Sequence, residues 1–98
     1  MIKVFADTGT EDIFRGRVTK AARRVLPLEL HAIARRKLAV IDYSSDVGML
    51  RIPPSNHLEA LDGDRKGQYS IRINRRYRIC FRWDEEEYAT AVEIVDYH

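Results

Sequence analysis

From Tyr69 onward the chain reads with a period of two. Tyr69, Ile71 and Ile73 alternate with Ser70, Arg72 and Asn74, and Tyr77, Ile79 and Phe81 alternate with Arg78, Cys80 and Arg82. Successive strand residues point to opposite faces, so each run predicts a strand with one apolar and one polar side. Asn74-Arg75-Arg76 separates the two as a tight hairpin, and Trp83 with the acidic Asp84 to Glu87 makes the next turn. Tyr88 to Asp96 reads as the last strand. Three strands joined this way form an antiparallel meander, and its apolar side must be covered by something earlier in the chain.

The earlier residues supply helices. Asp7 and Thr8 are capping residues ahead of Ile13 and Phe14, which predicts a short helix ending near Gly16. Leu28 to Ile41 is the stronger segment. Pro27 suits its start, and Leu30, Ile33, Ala34, Leu38 and Ile41 recur at helical spacing. Ile2 to Phe5 is a short strand candidate, Pro53-Pro54 predicts an extended stretch, and Asp62 to Gly67 is a turn. The expectation is one α+β domain over residues 1–98, with two N-terminal helices packed on an antiparallel sheet. A chain of 98 residues carries one modest core.

Several function classes drop out. No apolar run approaches the roughly 18 residues of a membrane span, and Met1 to Asp7 has no signal-like apolar stretch. The single cysteine, Cys80, has no internal disulfide partner and reads as an inert buried thiol in an apolar run, so a cytosolic protein is expected. His31, His57, His98 and Cys80 lack ligand spacing. Neither a Gly-rich phosphate loop nor a nucleophilic triad is present. No metal and no cofactor are expected.

Charge is segregated. Arg15, Arg17, Lys20, Arg23, Arg24, Arg35, Arg36 and Lys37 are opposed within their segment only by Glu29, whereas Asp84 to Asp96 carries acids and no cation. The basic segment, with Arg65 and Lys66 in the later turn, suits a polyanion. Arg78 sits mid-strand and has two readings. Either it pairs with Asp96 or Glu93 on the neighbouring strand, or it faces a phosphate, which a guanidinium matches well. Asp96, Tyr97 and His98 follow the last strand directly, and an acid, a phenol and an imidazole on a pinned strand end suit proton transfer or phosphate contact. Glu59, between Leu58 and Leu61, is either a solvent-facing carboxylate or part of the same site.

The stretch from Asn56 to Arg82 resembles the HigB toxins of the RelE superfamily. The closing Glu93-Ile94-Val95-Asp96-Tyr97-His98 belongs to the resemblance too, whose most specific parts are Leu58-Glu59 through Gly67, Tyr77-Arg78-Ile79 and the final Asp96-Tyr97-His98. Arg36-Lys37-Leu38 and Pro53-Pro54 with Leu58 fit the same layout, so the resemblance covers essentially the whole chain. It implies a RelE-like microbial RNase fold and the toxin of a type II toxin–antitoxin pair. It further implies a metal-independent endoribonuclease that cuts mRNA in the ribosomal A site by attack of the ribose 2′-hydroxyl. Carried over by position, Arg78, Asp96, Tyr97 and His98 match the family's catalytic residues. Glu59 stands where some members have a histidine, and Asp62 where they have a lysine. Glu59 and His98 both remain candidates for the general base. His57 lies two residues from Glu59, on the same strand face.

Lys20, Arg23, Arg24, Arg36, Lys37, Arg65 and Lys66 are the expected RNA contacts, facing 16S rRNA and message. The expected protein partner is a HigA-like helix-turn-helix antitoxin. The competing reading, sustained by Glu59 and Asp62, is a non-catalytic basic module that binds RNA or the ribosome.

Overall fold

The computed structural model describes residues 1–97. Helix α1 (Thr8–Phe14) begins where Asp7 accepts a hydrogen bond from the Thr10 amide at 2.7 Å, which satisfies one of the donors a helix start leaves open. Helix α2 (Lys20–Val25) begins the same way, with the Thr19 hydroxyl accepting from the Ala22 amide at 3.0 Å. Helix α3 (His31–Tyr43) follows a single 3₁₀ turn, Leu28–Leu30, and buries Ala34, Leu38 and Ile41.

The sequence reading contained two helices, and α2 is the one it lacked. Only six residues long, α2 buries only Ala22 and carries no helical stripe for a pattern to reveal. It is held by its contacts with α1. Gly9 lets the two helices touch, because a Cβ there would lie 2.5 Å from the Ala21 carbonyl oxygen. Buried Asp12 then ties the pair, accepting from the Thr19 hydroxyl at 2.7 Å and from Arg17 Nε at 3.0 Å.

The sheet has four antiparallel strands in chain order: β1 (Glu59–Ala60), β2 (Gln68–Arg72), β3 (Tyr77–Trp83) and β4 (Ala89–Asp96). The two-residue β1 is too short to have shown any alternation. It pairs Glu59 with Ser70 and Ala60 with Tyr69. The hairpin at Asn74 forms as expected, with its side-chain oxygen accepting from the Arg76 and Tyr77 amides at 2.9 and 2.8 Å. Pro53 is extended, but Pro54–Asn56 closes into a 3₁₀ turn where an extended stretch was expected. The fixed φ of proline suits the first position of such a turn as well as it suits an extended chain.

One face of the sheet meets the helices. Ile71, Ile73, Ile79, Phe81, Val92 and Ile94 join Ile13, Leu26, Leu38, Ile41 and Leu50 in a single core. Strand β4 carries a bulge, where pairing slips between Cys80↔Glu93 and Arg82↔Thr90 and Ala91 takes a left-handed conformation with φ 51°. The extra residue brings Ala89 and Val92, three apart, onto the core side together. The outer edge of β4 is also closed. Residues Ile2 and Phe5 bridge Ala89 and Val92 in parallel, so the predicted first strand exists as two bridges, and the Ile94 amide donates to the Thr10 hydroxyl at 3.1 Å.

Asp12 yields a test. The Thr19 hydroxyl above all, and Arg17 after it, hold its carboxyl below the ordinary aspartate range against the upward push of burial. The folded state therefore binds fewer protons than the unfolded chain between that lowered value and about 3.9. This stabilisation is complete above about pH 5 and is lost as pH falls through the folded value. Denaturant midpoints measured against pH should fall less steeply on the acid side for Asp12→Asn than for the parent. Equal slopes would remove Asp12 from the acid sensitivity of the fold.

Candidate active site

The face of the sheet turned away from the helices is polar. By register, Glu59, Ser70, Cys80 and Glu93 lie in one row across it, and Arg72, Arg78 and Val95 lie in the next. Arg78 is the centre of this face. Its side chain is only 6% exposed. A buried guanidinium requires hydrogen-bond acceptors, and Arg78 finds three. Nε donates to the Ser70 hydroxyl at 2.7 Å, and Nη2 donates to the His57 carbonyl at 2.6 Å and the Ser70 carbonyl at 3.4 Å. Among the described residues the nearest carboxylate is Glu59, at 3.6 Å and with a side chain 56% exposed. The remaining nitrogen, Nη1, makes no hydrogen bond among the described residues.

The first sequence reading of Arg78, paired with Asp96 or Glu93, does not hold. Both acids are taken by other arginines. Arg76 grips Asp96 with two nitrogens, Nε at 2.9 Å and Nη2 at 2.6 Å from its oxygens. Arg65 reaches over the polar face from its turn and donates to Glu93 at 3.2 Å and Gln68 at 3.0 Å. Glu93 shares the polar face with Arg78 but is held by Arg65, whereas for Asp96 the reason is the pleat. Asp96 lies on the opposite parity from Val95 and Tyr97, so its side chain leaves β4 away from Arg78.

Tyr97 lies on the polar side. Its amide donates to the Arg76 carbonyl at 2.6 Å, which extends the ladder past the end of β4. Its ring centroid is 5.8 Å from the Arg78 guanidinium carbon, within cation–π range. Burial raises the phenol pKa above the ordinary range, and the neighbouring Cys80 thiol adds to this, while Arg65 and Arg78 pull it down. Tyr97 is therefore a neutral O–H donor at physiological pH. Cys80 itself is fully buried, and burial raises its pKa too.

The predicted residues thus separate into groups. Arg78, Tyr97 and Glu59 come together on the polar face, with Arg65 beside them. Asp96 sits behind, on Arg76, and the role expected of His98 falls outside the described residues. Lys20, Arg23, Arg24, Arg36 and Lys66 are exposed, the first three on α2 and Arg36 on α3. Lys37 differs from these, because its ammonium donates to the side-chain carbonyl of Asn56. Sequence reasoning missed Ser70, and it gave Glu93 to Arg78 where Arg65 holds it. Ser70 was accessible in principle, because a hairpin centred on Arg75 puts Arg72 opposite Arg78 and so brings Ser70 onto the same face. Among the described residues, no group of three His, Cys, Asp or Glu side chains is placed to hold a metal ion, and no helix is long and apolar enough to cross a membrane.

Helices cover one side of a short antiparallel sheet, and a buried arginine lies beside a tyrosine on the other. The family described as the RelE-like toxin of type II toxin–antitoxin system HigB matches residues 3–98, and the chain belongs to it. It is 42% identical over 60 residues to Toxin HigB-1 of Vibrio cholerae serotype O1, covering 61% of this chain and 63% of that one. It is 39% identical over 62 residues to an uncharacterized protein of Haemophilus influenzae, covering 63% and 61%. The match thus spans a little under two thirds of the length of each of these relatives. Among solved structures it resembles the YoeB-YefM complex from Staphylococcus aureus, with TM-score 0.56, 17% identity and 95% of each chain covered, a likeness of fold.

The state of Cys80 is testable. A buried thiol with a raised pKa is a poor nucleophile. In native buffer an aromatic disulfide reagent should modify Cys80 only as fast as the protein opens, and denaturant should release the full reaction. Rapid labelling of the folded protein would contradict this burial.

Proposed function

We propose that this chain is the toxin of a type II toxin–antitoxin pair and an endoribonuclease that cuts mRNA on the ribosome. The observation that carries the reading is the Arg78–Tyr97 pair: a fixed guanidinium with one nitrogen unused among the described residues, beside a phenol that stays protonated. RNA brings its own nucleophile, the 2′-hydroxyl. Attack on the adjacent phosphorus needs a proton acceptor, cations for the phosphorane charge and a donor for the leaving 5′-oxygen. Arg78 supplies the charge. It is already oriented by Ser70 and His57, so little reorganisation accompanies the reaction. Arg65 adds a second cation, released from Glu93 as phosphate takes its place. Tyr97 donates to the 5′-oxygen. Glu59 accepts the 2′-proton, being the carboxylate nearest Arg78 and open to solvent; His98 is the other candidate for this step. Asp96 supports Tyr97 indirectly, by fixing Arg76, whose carbonyl holds the Tyr97 amide.

The exposed cations Lys20, Arg23, Arg24, Arg36 and Lys66 suit salt-dependent contacts with ribosomal RNA and message in the A site. Such a toxin acts in the cytoplasm, where translating ribosomes are, and is held in check by a HigA-like helix-turn-helix antitoxin. Membership of a toxin–antitoxin family supports an antitoxin partner.

Purified protein should cut message on translating ribosomes and leave free RNA largely intact. Arg78→Ala should lower cleavage by about 10²–10³-fold, the loss typical of one preorganised donor. Arg78→Lys should recover only part of it, because the fork to Ser70 and His57 is lost. Tyr97→Phe should lower cleavage by about 10²-fold or more. Because the phenol titrates above about pH 10, it should produce no alkaline loss of rate below that pH. Ribosome binding with no cut would favour the non-catalytic module instead.

A further inference from the structure

Lys37 carries the same charge as its neighbours on α3 but does something different with it. Arg35 and Arg36 are exposed, whereas Lys37 is half-buried and directed at the segment between α3 and β1. Its Nζ donates to Asn56 Oδ1. Burial, and after it the neighbouring Arg36, lower the pKa of the ammonium from the ordinary lysine range, which marks it as partly withdrawn from water.

Asn56 is the knot of that segment. It is 1% exposed. Its Nδ2 donates to the Leu50 carbonyl at 3.1 Å and the Ile52 carbonyl at 3.3 Å, and its own amide donates to the Pro53 carbonyl at 2.9 Å. The next residue, His57, adopts a left-handed conformation with φ 47° and ψ 56°. A residue with a Cβ persists there only when its surroundings impose it. The turn directs the His57 carbonyl at Arg78 Nη2, 2.6 Å away. Hydrogen bonds from α3 to Asn56, and from the His57 carbonyl to Arg78, are therefore joined through the Asn56–His57 peptide link.

We infer that Lys37 is a positioning residue for Arg78, acting through Asn56 and the His57 carbonyl, and not an RNA contact. The inference rests on the catalytic reading of Arg78 given above. Lys37 sets where that guanidinium lies in the free protein, before any RNA arrives.

Lys37→Met keeps the straight side chain and loses the donor, and Lys37→Arg restores a donor and a charge. Two readouts separate positioning from RNA binding. The first uses the free protein: the ¹H–¹⁵N resonance of the Arg78 Nε–H, assigned by its loss in Arg78→Lys. It should move in Lys37→Met and return toward its place in Lys37→Arg. The second uses ribosomes. In Lys37→Met, kcat for message cleavage should fall by about tenfold to a hundredfold, as expected of a misplaced catalytic group, with KM and the salt dependence of binding unchanged. A phosphate contact would instead raise KM and reduce the salt slope by about one, which is the pattern expected of Arg36→Met. An unmoved Arg78 resonance, or a loss confined to KM, overturns the inference. If the parent protein makes no cut at all, the proposed function fails, and the Arg78 resonance alone decides the role of Lys37.

Discussion

The burial of Arg78 in the polar face of the sheet sets the terms for the rest of the site. A guanidinium in such a place is tolerated only with acceptors around it, and here these are mainly neutral: a hydroxyl and two carbonyls. Neutral oxygens fix direction without cancelling charge. Among the described residues, the one carboxylate within ion-pair distance is half in water, where its pull is weakened by solvent. Arg78 is thus rigid and still electropositive, two properties that a close buried carboxylate would have set against each other. Each acceptor in turn depends on a separate element: Ser70 on the β2–β3 register, His57 on the knot around Asn56.

The neighbouring arginines follow a different rule. Arg76 and Arg65 are each matched to an acid, Asp96 and Glu93, and both pairs lie at the border of the site. They keep β4 and the Asp62–Lys66 turn in place around Arg78. The site therefore combines one cation held mainly by dipoles with two held by charges, and the charge of the first is the least offset.

Much of this was legible in the sequence. Period-two alternation gave β2, β3 and β4 and placed Arg78 on the polar side. Asp7 and Pro27 marked helix starts. Short elements were hidden, because β1 has two residues and α2 six, too few for a period to register. The linked fates of Asp96 and Tyr97 were hidden for a different reason. Adjacent residues on a strand look like one cluster in sequence, yet the pleat sends them to opposite faces. Lys37 read as one more cation in a basic run, since nothing local reveals that Asn56, nineteen residues later, accepts its hydrogen bond.

The closed edge of β4 limits how the protein can meet others. A common route to protein association is for a partner to lay a strand along an unpaired sheet edge. Here that edge is occupied from within, by the Ile2 and Phe5 bridges and by the Thr10 hydroxyl on the Ile94 amide. The opposite edge is β1, two residues long. Among the described residues the outer edge of β4 thus offers little free backbone to another chain, which leaves the charged helices and the face around Arg78 as the broader surfaces for recognition.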